Sequence, residues 1–111
     1  MIARFWSAQT TPALSHAYLH HFEQAVQPQL QSLDGFLGAT VCTRPDSGAI
    51  EILVTTYWAS LSAMKAFAGA DSEAAVVADE AAALLTDFDK RVRHYEVAVA
   101  QFPATAEHTT K

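Results

Sequence analysis

The chain contains one cysteine, Cys42. No disulfide can therefore form within it, and that usage fits a reducing compartment. Basic residues are also scarce. The seven lysines and arginines are scattered, the net charge is −5, and no cluster exists to neutralise a phosphate backbone, which excludes nucleic acid as the expected partner. No apolar run approaches membrane-spanning length. The N-terminus leads straight into a strand pattern without the charged and apolar regions of a signal peptide, so a cytoplasmic protein is expected. Also missing are a glycine-rich phosphate loop, a Ser-His-Asp arrangement in a recognisable context and any paired-cysteine motif. What is present is apolar substance. Half of the 111 residues are hydrophobic and 17% are charged, as in a globular single domain.

Residues Ile2 to Ser7 alternate as a short strand, with Ile2, Arg4 and Trp6 on one face. Thr11-Pro12 is a helix start, threonine as cap and proline at the first helical position. The spacing predicts a helix from Pro12 to Leu33, with Leu14, Tyr18, Phe22, Val26, Leu30 and Leu33 as its apolar stripe and a kink or break at Pro28. Asp34-Gly35 marks a turn. Phe36 to Thr43 reads as a second strand, Arg44 to Gly48 as a hairpin loop, and Ala49 to Trp58 as a third strand. Ser60 caps a helix to Ala68, and Gly69 is placed to end it in a left-handed cap. Asp71 is expected to cap a further helix, with the alanine-rich stretch to Leu85 helical on propensity. Arg91 to Phe102 alternates as a fourth strand. Residues 1–102 thus form one domain and residues 103–111 a flexible tail.

The order β-α-β-β-α-β is the split βαβ of a ferredoxin-like α+β domain with a four-stranded antiparallel sheet. Right-handed crossovers are expected to set the first and third strands side by side and parallel in the middle, with Trp6 and Trp58 at the same end. The sheet face away from the helices carries Leu53, Thr55 and Tyr57, with Leu37, Ala39 and Val41 or their neighbours. It is too apolar for water, which predicts a homodimer through that face.

Several segments are similar to a known family. They are Met1-Ile2-Ala3-Arg4-Phe5-Trp6, Leu33-Asp34-Gly35-Phe36-Leu37-Gly38-Ala39, Tyr57-Trp58-Ala59-Ser60 leading into Ala66-Phe67-Ala68-Gly69, and Val92-Arg93-His94-Tyr95-Glu96-Val97. In this order they resemble the antibiotic biosynthesis monooxygenase-like (ABM) family of dimeric α+β barrels, over roughly residues 1 to 100. The resemblance implies a ferredoxin-like protomer and a dimer whose two sheets make one barrel. It also implies oxidation of a small aromatic, quinol or polyketide-like substrate by dioxygen, with no cofactor. A non-catalytic small-molecule-binding or structural protein is the alternative. Haem binding or degradation is a weaker one. In haem-degrading relatives the tryptophan after the third strand, here Trp58, is accompanied by a strand-one asparagine and an axial histidine on the second helical segment. This chain has Trp6 at approximately the first position and no histidine between Ala68 and Leu85.

Within that reading, Trp58 is either a wall that stacks a flat substrate or a plug between sheet and helix. Trp6 is a second wall. Arg4 is either a cation for a developing anion or the partner of Glu96 in a cross-strand ion pair. Tyr18 and Phe67 complete the expected substrate contacts. His94 is the candidate general base for a phenolic proton, Trp58 its catalytic companion, and Tyr95 turns to the dimer face. His16 and His20 are spaced to clip a metal but lack a third ligand, so no metal is expected; His21 borders the apolar stripe and can reach a pocket edge. Cys42 is expected to be a buried, inert thiol.

Overall fold

Apolar alternation makes the first strand central. In the computed structural model, which describes residues 1–102, β1 (Ile2–Thr10) is flanked on both edges. One neighbour is β3 (Ala49–Trp58), itself paired with β2 (Phe36–Asp46). On the other edge lie two short strands, β4 (Asp87–Phe88) and β5 (Arg93–Glu96). Every pairing is antiparallel. The architecture is the expected ferredoxin-like α+β sheet with helices on one face, and the sheet is open. The expected tail at residues 103–111 lies outside the described residues.

One expectation about direction is overturned. β1 and β3 run antiparallel, from Ile2 opposite Trp58 to Thr10 opposite Ile50. The helical crossover makes β2 parallel to β1 two places away. The hairpin then reverses the chain, so the inserted β3 opposes both. Trp6 therefore faces Val54, four ladder positions from Trp58, or about 13 Å at ~3.3 Å per residue. The two indoles share a face but not an end.

The first helical region begins as its caps dictate. Thr11 accepts from the Leu14 amide at 3.2 Å, Pro12 occupies the first turn, and α1 spans Pro12–His21. A π-helical segment, Phe22–Val26, follows, and α2 spans Gln27–Gln31. The break comes before Pro28. A proline ring collides with the carbonyl four residues back, here Gln24, and the widened turn at Phe22–Val26 falls there. Tyr18, Phe22 and Leu30 are buried on the sheet, whereas Leu14 at the open end is exposed.

Ser60 caps α3 (Leu61–Ala68), accepting from the Ala63 amide at 3.1 Å. Gly69 ends it with φ +86° but an extended ψ, rather than the left-handed helical cap that was expected. The alanine-rich stretch is also not helical as a whole; only α4 (Asp79–Ala82) is. Residues 73–75 instead pair with 90–92: the Ala75 amide donates to the Lys90 carbonyl at 3.0 Å and the Val92 amide to the Glu73 carbonyl at 2.8 Å. Tertiary hydrogen bonds override alanine propensity here. Asp71 caps no helix; it accepts from the Glu73 amide and pairs with Arg91. The same pairing divides the fourth strand. The Asp89 amide still donates to the Ser7 carbonyl at 2.9 Å, Lys90–Val92 then step away from β1, and no strand is formed over residues 97–102.

The outer face carries Phe5, Leu53, Tyr57 and Tyr95, with Phe5 and Tyr95 edge-to-face at 5.8 Å. A bulge between Phe36 and Gly38 sets Ala39 and Val41 opposite Thr56 and Val54, hence on the helix side; their neighbours Thr40 and Cys42 take the outer side. Cys42 is accordingly exposed, not buried as expected, because no described element covers its part of that face.

Gly35 fixes how closely the turn before β2 approaches α3. Its φ is +83°, and an added Cβ would lie 2.5 Å from the Ala63 Cβ. Gly35→Ala is expected to cost about 2–4 kcal/mol by combining backbone strain with overpacking. Gly38→Ala, with nothing within 4 Å, serves as the control. Urea unfolding midpoints of the two variants measure the difference.

Candidate functional site

The helix face of β1 and β3 forms the floor of a cavity of about 60 Å³. Arg4 and Trp6 from β1 lie beside Val54 and Thr56 from β3, because alternate residues of paired strands share a face. Tyr18 and His21 of α1, with Phe22, form one wall. Phe67 of α3 and the extended residues Val76–Ala78 form the other. The lining is aromatic and aliphatic with a few polar groups, the usual composition of a small-molecule site.

The aromatic side chains are fixed by their own contacts. The Trp6 indole N–H donates to the Asp89 carbonyl at 2.8 Å, at the point where the chain leaves the β1 edge. Its ring lies 6.4 Å from that of Tyr18, and the Tyr18 ring is 6.4 Å from His21. Tyr18 is only 4% exposed, and burial pushes its phenol up to about 12. Arg4 is 5% exposed. It donates to the Ala74 carbonyl at 2.6 Å and stacks over Phe67 at 5.5 Å. Burial lowers its guanidinium to about 10, so it stays charged at neutral pH. The ion pair of Arg4 with Glu96 is not formed: the ladder sets Arg4 opposite His94, while Glu96 opposes Ile2 and its carboxylate is 3.9 Å from the N-terminal amine.

Two buried polar atoms of the lining have no hydrogen-bond partner among the described residues, Arg4 Nε and His21 Nε2. They come from different elements. His21 follows from its place in the chain, one residue before the π-helical segment and on the edge of the apolar stripe.

Of the residues picked out from the sequence, Arg4, Trp6, Tyr18 and Phe67 come together around the cavity. Trp58 and His94 are not among its lining residues. Trp58 is wholly buried behind it, stacked on Phe67 at 5.7 Å, edge-on to Phe36 at 5.3 Å, and donating to Thr56 at 2.9 Å. His94 is the cross-strand neighbour of Arg4, and its buried Nε2 is also without a partner. His16 and His20 are exposed, and among the described residues no three His, Cys, Asp or Glu side chains are grouped to hold a metal. No described helix is long and apolar enough to cross a membrane.

A haem group does not fit this arrangement. The wall from Phe67 through Ala81 contributes only phenylalanine, valine and alanine side chains, none of which would hold the iron, and the lining histidine, His21, lies on the α1 wall instead. The volume is also far below the ~300–1,000 Å³ usual for ligand pockets.

The sequence profile of one family, antibiotic biosynthesis monooxygenase, matches residues 1–79. Curated proteins include no significant match. Solved structures include a Streptomyces coelicolor monooxygenase in complex with nanaomycin D, at 20% identity and TM-score 0.66, covering 93% of this chain and 92% of that one. The haem degrader MhuD of Mycobacterium tuberculosis, with two haems bound, is similar at 23% identity and TM-score 0.60, covering 92% and 100%. A Nitrosomonas europaea protein of unknown function is similar at 18% identity and TM-score 0.61, covering 93% and 94%. These likenesses establish a common fold.

The buried phenol gives a direct test of the site. Tyr18 holds its proton more tightly folded than unfolded, so its contribution to stability is full below pH 10 and is lost as pH rises towards 12. The phenolate absorbance of the folded protein is expected to show a late step near pH 12 that Tyr18→Phe lacks. The variant should also lose less stability between pH 10 and 12, read as denaturant midpoints. Arg4 acts in the opposite sense over that range, because losing its proton relieves its burial, and it does so equally in both proteins.

Proposed function

The chain belongs to the antibiotic biosynthesis monooxygenase family, and from that premise we propose that it is a cofactor-independent monooxygenase acting on a small electron-rich aromatic, quinol or polyketide-like compound. The observation that carries this reading is the cavity itself. Trp6, Tyr18 and Phe67 line it together with Arg4 and His21, whose Nε and Nε2 atoms are buried without protein partners among the described residues.

Dioxygen reacts readily only with an electron-rich anion, so the chemistry starts with a deprotonation. His21 presents the unpartnered imidazole nitrogen of the lining and is the proposed base. The role expected of His94 passes to it because His94 stands outside the lining. The anion, held beside the Arg4 cation, passes one electron to dioxygen. Recombination forms a carbon–oxygen bond and hence a peroxide. For a ring methylene, loss of water leaves a ring carbonyl. One oxygen atom stays in the product, and the other departs as water with the proton that His21 took and the second ring hydrogen. Trp58 acts here through Phe67, whose ring it backs, rather than by touching substrate.

The small volume supports a second reading, a non-catalytic small-molecule-binding or structural protein. An apolar site of ~150 Å³ holds benzene, so even a single ring requires the Val76–Ala78 wall to yield. Oxygen uptake against a panel of quinols and anthrones separates the two. The wild-type protein should consume dioxygen with at least one of them, and His21→Ala should lower the rate by about 100-fold. His94→Ala should retain most of it. Absence of uptake across the panel leaves the binding reading, and a loss confined to His94→Ala returns the base to that residue.

The uncovered sheet face fits a second copy of the chain. Leu53 and Tyr95 are 39% and 53% exposed there, and the adjoining groove of about 600 Å³ between Phe5, Tyr57 and residues 97–102 is largely apolar. Sedimentation velocity is expected to show a dimer, and Leu53→Lys with Tyr95→Lys to shift it to monomer.

A further inference from the structure

Arg4 is a cation enclosed without a counter-ion. It is 5% exposed, no carboxylate lies within ion-pair distance of it among the described residues, and none of the side chains lining its cavity is acidic. Its protein partners are one neutral carbonyl, at Ala74, and the face of Phe67. Removing a charge from water is costly unless an opposite charge or a full set of hydrogen bonds replaces the lost solvent. Arg4 has neither, and its Nε–H is unused.

The residue directly opposite Arg4 on β3 is Thr56, which is also buried at 5% exposure and lines the same cavity. Its oxygen already accepts from the Trp58 indole at 2.9 Å. The threonine hydrogen is therefore free to donate. Arg4 and Thr56, cross-strand neighbours with a donor each, thus both line the apolar cavity. His21 faces them from the α1 wall. Donors from two cross-strand neighbours can serve the two oxygens of a carboxylate, and the charge matches its sign.

We propose that the ligand of this cavity, admitted when the Val76–Ala78 wall yields, is an aromatic acid, its carboxylate held by Arg4 Nε and the Thr56 hydroxyl and its ring lying against Trp6, Tyr18 and Phe67. The inference rests on reading the cavity as the ligand site, and it narrows the substrate class to ring compounds that arrive already bearing one negative charge. The ring hydroxyl then points away from the floor, towards His21. Specificity is set by the buried pairing: an uncharged isostere leaves the guanidinium without its counter-ion.

Gentisate, a dihydroxybenzoate, and gentisamide, its uncharged amide, have nearly the same shape and test this by titration calorimetry. Gentisate is expected to bind the wild-type protein at least about tenfold more tightly than gentisamide. Arg4→Met, folded by circular dichroism, is expected to reduce that preference to about twofold or less, and Arg4→Lys to restore part of it. Equal or tighter binding of the amide overturns the aromatic-acid assignment while leaving the cavity as a ligand site. Binding of neither compound overturns both. The wild-type comparison decides the matter alone if Arg4→Met does not fold. Oxygen uptake plays no part in this measurement, so it stands or falls apart from the catalytic reading.

Discussion

The register of β1 against β3 is the constraint on which the rest depends. Nine residues pair without interruption, Ile2 with Trp58 through Thr10 with Ile50. Because side chains alternate, this ladder sends Ile2, Arg4, Trp6, Ala8 and Thr10 to the helices and Ala3, Phe5 and Ser7 to the other face. A slip of one residue would place a buried phenylalanine where the cation is and leave the Trp6 indole in solvent. The register is held by what it buries: Ile52, Trp58 and Thr10 are wholly enclosed on the helix side. Thr10 also donates to the Leu84 carbonyl at 2.6 Å, tying the last residue of β1 to the end of the α4 region.

Trp58 converts that register into a site. Its indole fills the space between sheet and α3, donating to Thr56 and stacking on Phe67. Phe67 is thereby fixed as the ring over which Arg4 lies. The far side of the guanidinium is held by Ala74, in a segment that is extended because it pairs with residues 90–92. Three separate parts of the chain thus meet on one arginine. A strand supplies it, a helix supplies its aromatic platform, and an irregular segment supplies its hydrogen-bond acceptor.

What could be read from the sequence was local. Thr11-Pro12 and Ser60 fix helix starts through their own hydrogen bonds, and the alternation from Ala49 to Trp58 fixes a strand through period alone. Four of the residues chosen as substrate contacts, Arg4, Trp6, Tyr18 and Phe67, lie around one cavity because periodicity identifies the inward face of each element. What could not be read was relational. Alanine-rich residues 71–85 have helix propensity, yet their backbone groups find better partners across space. His94 and His21 are equally suited as bases by residue type, since histidine ordinarily titrates near neutral pH. The choice between them turns on which side of Arg4 the cavity opens, and no local pattern carries that. Cys42 was misplaced for a similar reason. The bulge after Phe36 shifts the face of every later residue in β2, and a bulge leaves little trace in composition.

The two faces of the sheet carry opposite kinds of incompleteness. The outer face lacks cover: apolar rings and Cys42 stand in solvent where a second surface would exclude water. The inner face lacks charge balance. Desolvating an ion costs several kcal/mol even after relaxation, and a marginally stable domain of this size cannot absorb such a cost without a return elsewhere. A purely structural role for Arg4 is poorly served by that expense, since a neutral donor could satisfy Ala74 and an aliphatic chain could pack on Phe67. A negative charge brought by a ligand, or developed on it during reaction, would offset that burial. In both cases the proposed role of Arg4 is that of a cation fixed in place beforehand, since preorganised electrostatics lowers a barrier without reorganising the protein during the chemical step.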